Sequence, residues 1–132
     1  MPMKIKRTGL ILYTENYKAC VKFYKEVFKL PILFQKSDDD FALTCFEFGG
    51  SYLMVETGGV ANPKGKSIRN SSIKIRFNVE NCDSTLQYLK NKGINAKITR
   101  FDWGSNINTF DPDGNRIGIR DEKMFVNDIK ET

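Results

Sequence analysis

The chain has 132 residues, 40% of them hydrophobic, which is enough for one domain with a core and too few for two ordinary domains. It contains no histidine, and this excludes Ser-His-Asp and Cys-His nucleophile pairs, imidazole acid-base work and every metal site that needs an imidazole. The 21 Lys and Arg against 16 Asp and Glu give a formal charge of +5, spread along the chain without a basic block; this suits an anionic ligand and is no nucleic-acid signature.

Cys20, Cys45 and Cys82 form no CxxC and accompany no signal-peptide pattern, so reduced thiols in a cytoplasmic protein are expected. No stretch approaches the length and apolarity of a membrane span.

In chain order, residues 8–14 (TGLILYT) read as a strand, and the following dozen change to helical spacing. Tyr17, Val21, Tyr24 and Phe28 fall on one stripe with Cys20 and Val27 beside it, while Asn16 stands where a helix N-cap belongs. Strand-like runs follow at 30–35, 41–48 and 51–56, punctuated by Asp38-Asp39-Asp40 and Gly49-Gly50. Residues 58–70 have no apolar period and read as a linker. A strand at 73–79, a helix at 82–92 stopped by Gly93, and strands at 94–100, 105–110 and 115–120 complete a second series. In the tail 122–132, Met124, Phe125 and Ile129 among charges predict a short helix docking on the body.

The two series are one pattern written twice. Glu80 − Glu15 and Asn81 − Asn16 both give 65, and at that offset Val21 meets Leu86, Phe23 meets Tyr88 and Tyr24 meets Leu89. The chain therefore reads as α+β, a single domain of two tandem βαβββ modules over about 7–57 and 71–121. Near its end stands DPDGN, in which Pro112 fixes φ, Gly114 supplies a positive-φ position and the Asp and Asn side chains satisfy the turn's backbone. Asp111 and Asp113 are thus turn formers rather than catalytic acids.

A duplicated βαβββ unit with Phe23-Tyr24 in its first helix and the closing stretch WGSNINTFDPDGNRI resembles the vicinal oxygen chelate superfamily, which includes glyoxalase I, extradiol dioxygenases, fosfomycin-resistance enzymes and bleomycin-binding proteins. The resemblance implies mixed sheets curving around a cavity, a symmetric homodimer and, in metal-dependent members, one ligand on the first and last strand of each module. Carried over residue by residue, those positions fall on Gly9, Met54 (Leu53 if the register shifts by one), Lys74 and Gly118. None supplies the hard or borderline donor that a divalent metal requires, so neither a metal nor another cofactor is expected.

With Gly9 and Gly118 facing the cavity, strand alternation turns Ile11, Tyr13, Met54, Glu56, Lys74, Arg76, Asn78, Arg116 and Arg120 the same way. It leaves Leu10, Leu12, Leu53, Val55, Ile73, Ile75, Phe77, Ile117 and Ile119 for the helix-covered side. Tyr13, Met54, Lys74, Arg76, Trp103 and Arg120 are then candidate binding residues for a small acidic or aromatic ligand, with Glu56 the one candidate catalytic carboxylate. Plainer readings stand beside this: strand arginines paired with neighbouring acids on a wet face, and Tyr13 and Trp103 serving as packing.

Three functions fit. The first is a metal-independent small-molecule binder of the bleomycin-resistance-like kind. The second is a glyoxalase-like lyase or isomerase with Glu56 as base and Lys74 or Arg76 stabilising an enolate. The third is a protein-interaction module. Neither nucleic acid nor membrane is an expected partner.

Overall fold

The alternation is realised as eight strands in the computed structural model, which describes residues 2–131. The chain divides after Ala61 into two compact units. In the first, β1 (Gly9–Thr14) leads to α1 (Tyr17–Lys22), which widens into a π turn over Phe23–Val27, and then to β2 (Ile32–Asp38), β3 (Phe41–Phe48) and β4 (Ser51–Thr57). The sheet order is β1-β4-β3-β2, with β1 parallel to β4 and the other pairings antiparallel. The second unit repeats this with β5 (Lys74–Val79), α2 (Cys82–Asn91), β6 (Lys97–Phe101), β7 (Gly104–Phe110) and β8 (Arg116–Asp121), in the order β5-β8-β7-β6, and adds α3 (Glu122–Lys130). None of the described helices is long and apolar enough to cross a membrane.

Each unit buries one face of its sheet, as the period of two requires. Leu12, Phe46, Leu53 and Val55 are buried in the first unit with Cys20, Phe23 and Tyr24 of the helical segment; in the second, Ile75, Ile107, Ile117 and Ile119 are buried with Cys82 and Leu89 of α2. Burial of each such aliphatic or aromatic side chain contributes on the order of 1.5–3 kcal/mol. Among the residues assigned to these covered faces, Leu10 and Phe77 are only half-buried, and Ile73, just before β5, is 47% exposed.

Two local expectations in the first unit needed correction. Asn16 makes no side-chain cap bond; its backbone (φ −97°, ψ 64°) is not extended, and its carbonyl accepts from Cys20 N–H at 2.9 Å. Asn81, extended at φ −148°, does cap α2 by accepting from Ser84 N–H at 2.9 Å. The first helix is not α-helical to Phe28 and its buried edge is Cys20, Phe23 and Tyr24. The wider winding accompanies two adjacent buried aromatics, packed edge to face at 5.2 Å, and the run ends at Lys29 with φ 57°.

The tail helix α3 forms as expected but docks differently. It packs on β5 and β8 while Phe125 and Ile129 stay 45% and 58% exposed, so polar pairs hold it as much as apolar burial.

The expected linker is tied down at both ends. Gly58 and Gly59 N–H donate to Thr14 O, whereas Asn62 N–H donates to Asp113 O and Lys66 N–H to Gly114 O. In the DPDGN turn, the buried Asp111 carboxylate accepts from Asp113 and Asn115 N–H at 2.9 Å and from Asn115 Nδ2 at 2.8 Å. Gly114 takes φ +84° against Asn62 O.

Candidate functional site

The parallel pairing of first and last strands sets corresponding positions in the two units. Gly9 pairs with Tyr52 and Ile11 with Met54; Lys74 pairs with Arg116 and Arg76 with Gly118. The offset is 65 between β1 and β5, while 118 − 54 and 120 − 56 both give 64 between β4 and β8. Met54 rather than Leu53 is therefore the counterpart of Gly118.

In the first unit, the face opposite the buried one carries Ile11 and Tyr13 of β1, 42% and 58% exposed, beside Met54 and Glu56 of β4. Tyr13 and Glu56 are direct register partners. The Glu56 carboxylate has no hydrogen-bond or ion-pair partner among the described residues. Cys45 shares this face through its pairing with Met54, is 2% exposed, and has its thiol pKa pushed up by burial, an effect that Arg7 opposes.

The second unit gathers most of the candidates on one polar face. Across the strands run three rows: Lys74, Arg116 and Phe110; Arg76, Gly118, Asn108 and Lys97; Asn78, Arg120, Asn106 and Thr99. Lys74 does not stay in its own row. Its stem leans over Gly118, and Nζ donates to Asn108 Oδ1 at 2.8 Å. Burial, with Arg76 and Arg116 nearby, lowers the Lys74 pKa from the ordinary lysine value; burial and Arg120 likewise lower that of Arg76. Arg76 has no hydrogen-bond or ion-pair partner among the described residues.

At the far end of the face the charges are answered. Arg120 bonds Asp128 of α3 at 3.2 Å and lies over the Trp103 ring at 5.4 Å; Trp103 stacks on Phe101 at 4.7 Å and 8°. Asn78 Nδ2 donates to Glu122 Oε1 of α3 at 3.0 Å, and the Met124 side chain lies against Gly104. Arg116 Nη2 donates to the carbonyls of Ser71 and Ile73. Arg120 Nε and Asn106 Oδ1, on directly opposed residues, and Arg116 Nε are buried and lack hydrogen-bond partners among the described residues, a local cost in stability.

Sequence reading missed Asn106 and Asn108, although their alternation with Ile107 and Thr109 carried the signal. It also missed Tyr52, in phase with Met54, and the α3 carboxylates, which no strand pattern marks.

The metal positions implied by the resemblance do not fit a metal. Gly9 and Gly118 offer no side-chain donor, Met54 offers a thioether and Lys74 an ammonium. The two glycine positions are also filled. A Cβ added at Gly9 would lie 2.2 Å from the Tyr52 ring, and one at Gly118 would lie 2.6 Å from Lys74 Cε. Among the described residues, no group of three or more His, Cys, Asp or Glu is placed to hold a metal ion.

Comparison with known proteins agrees with this architecture. The family model described as "Glyoxalase/Bleomycin resistance protein/Dioxygenase superfamily" matches residues 4–119. The uncharacterized protein YraH of Bacillus subtilis is 30% identical over 124 residues, covering 87% of this chain and 97% of that protein. Solved structures share the fold, two of them as follows. The trypanothione-dependent glyoxalase I of Leishmania major has a TM-score of 0.77 at 13% identity, covering 97% of this chain and 94% of that one. The fosfomycin resistance protein FosX of Listeria monocytogenes, solved with Mn(II) and sulfate, has a TM-score of 0.69 at 14% identity, covering 94% and 99%.

Proposed function

The chain belongs to the Glyoxalase/Bleomycin resistance protein/Dioxygenase superfamily, and from that membership we propose that it is a metal-independent binder of small molecules bearing an acidic group on an aromatic or apolar body. The observation that carries this reading is the polar face of the second sheet, where Lys74 and Arg76 stand without a carboxylate partner among the described residues, with Arg120 and the Trp103–Phe101 stack further along the face. Cations supply attraction and orientation for an acid, and the exposed aromatic pair supplies area for a flat body. The donor chemistry at Gly9, Met54, Lys74 and Gly118 supports metal independence. The protein works in the cytoplasm with reduced thiols, as a symmetric homodimer whose stoichiometry light scattering would check.

Thermal shift of chelator-treated protein against benzoate, phenylphosphonate, benzamide and benzylamine tests the binding. Acids should raise Tm, with stability growing as the logarithm of ligand concentration above Kd and reaching about 2.7 kcal/mol at a hundred times Kd, and benzamide and benzylamine should not. Equal response to benzamide, or none to either acid, would overturn the reading.

A further inference from the structure

Resting on the acidic-ligand reading, the geometry points to a more specific device: Lys74 and Arg76, which converge over the bare backbone of Gly118, form a two-cation clamp that holds a doubly charged oxyanion, a phosphate or phosphonate group, in place of a metal ion. The lack of a side chain at Gly118 makes room for both cations. A Cβ at that position would lie 3.2 Å from Lys74 Nζ and 3.3 Å from Arg76 Nε, so two cationic groups converge above one residue that has no side chain. Lys74 is one of the two second-unit positions at which the resemblance places a metal ligand, and Gly118 is the other. One of the pair has become a cation, and the other has become the floor that accommodates it.

The neighbours make the clamp specific. Lys74 is fixed by Asn108 Oδ1, a neutral acceptor that leaves its charge unanswered, and Arg76 has no partner among the described residues. Arg120, by contrast, is engaged by Asp128, and Arg116 by the carbonyls of Ser71 and Ile73. The convergence of like charges without a carboxylate is costly in the free protein, and that cost is relieved when an anion enters. The charge balance selects the ligand class. A carboxylate answers one cation and leaves the other exposed to it, whereas a dianionic tetrahedral group answers both and offers separate oxygens to an ammonium and a guanidinium.

The test is calorimetric titration of chelator-treated protein with phenylphosphonate and with benzoate at about pH 8, where the phosphonate is doubly ionised. Wild type should prefer phenylphosphonate. Lys74→Met, which keeps the stem and removes the charge, should lose roughly 10- to 100-fold in phenylphosphonate affinity. Gly118→Glu should lose at least as much, because its carboxylate would occupy the clamp, and it should gain no affinity for Zn(II) or Mn(II). Circular dichroism melts establish that both variants fold; Arg76→Gln, an exposed substitution, gives a third reading of the same contact and should also lose affinity.

Phenylphosphonate binding by wild type that all three variants retain would leave the acidic-ligand reading intact and remove the clamp. Stoichiometric metal capture by Gly118→Glu with enhanced phosphonate binding would also remove it, by showing that the position still belongs to a metal site. A preference for benzoate would reject the dianion, and no binding of either acid by wild type would reject both readings together.

Discussion

Replacing Gly118 by alanine separates the proposed ligand function of this position from its role in the fold. The added Cβ would meet Lys74 Cε at 2.6 Å, whereas carbon atoms rest comfortably at about 3.5–4.0 Å, so the stem must retreat by about 1 Å. That movement breaks the 2.8 Å bond from Nζ to Asn108 Oδ1 and withdraws the ammonium from its place beside Arg76. The stability effect is small because the clashing atoms belong to the end of an exposed, flexible side chain. Loss of the hydrogen bond costs about 1 kcal/mol, and reduced freedom of the unfolded chain returns about 0.4–1 kcal/mol. The net change should lie within about 1 kcal/mol, a Tm shift of no more than about 5 °C, while phenylphosphonate affinity falls roughly 10-fold. Urea or thermal melts followed by circular dichroism, with calorimetry on the same samples, read both quantities. A loss of more than about 3 kcal/mol would show that the Lys74 stem is a rigid structural element, and an unchanged affinity would show that its position over Gly118 has no bearing on the ligand.

Other consequences follow from the same structure. Gly114→Ala combines a left-handed backbone, φ +84°, with a Cβ only 2.2 Å from the backbone oxygen of Asn62; a loss of about 3 kcal/mol or more is expected, and an unchanged melting curve would refute the account of this turn. In the proposed clamp, oxyanion binding needs the Lys74 ammonium, whose pKa is lowered first by burial and then by Arg76 and Arg116. Affinity should therefore decline as pH rises through a value below that of an ordinary lysine, and Arg76→Gln should move the decline to higher pH. Because the native fold disfavours that charge, the stability attached to this group is lost as pH falls through the native value and is complete above the unfolded one. A binding profile flat up to the ordinary lysine range would contradict this. Cys82 has its pKa pushed up to about 11, by burial first, then by Asp121 through charge and hydrogen bond, and by Asp83, against a lowering by Arg100. Cys45 is also raised, and Cys20 is fully buried. The native protein should show no thiol reaction with a disulfide reagent near neutral pH until it unfolds, and rapid reaction of any one cysteine would contradict it.

The strand faces were legible in the sequence because a period of two leaves little choice: Leu12, Leu53, Val55, Ile75, Ile117 and Ile119 are buried as the alternation requires. The duplication was legible for the same reason, since the offset of 65 reappears in the parallel pairings that Gly9 and Lys74 each begin. The matched Glu-Asn pairs were less informative than they looked. Capping depends on backbone angles, and only Asn81 has the extended conformation that brings its oxygen to a helix N–H. The π turn was not legible, because it accompanies two adjacent aromatics packed into a core that local periodicity does not describe.

The polar face was half legible. Parity placed Lys74, Arg76, Arg120 and Gly118 together, but a four-carbon stem leaning across a row over a glycine is a tertiary fact. The engagement of Arg120 by Asp128 of α3 was hidden for a similar reason: the tail's pattern advertised Met124, Phe125 and Ile129, whereas Glu122 and Asp128 form the hydrogen bonds to the sheet.

The most direct test of the central claim is the affinity of chelator-treated protein for phenylphosphonate, measured by calorimetry without metal and again with equimolar Zn(II), Mn(II) or Ni(II). An ammonium and a guanidinium in the metal's place predict binding that is present without metal and unchanged by its addition. Binding that appears only when a divalent ion is supplied would contradict the account.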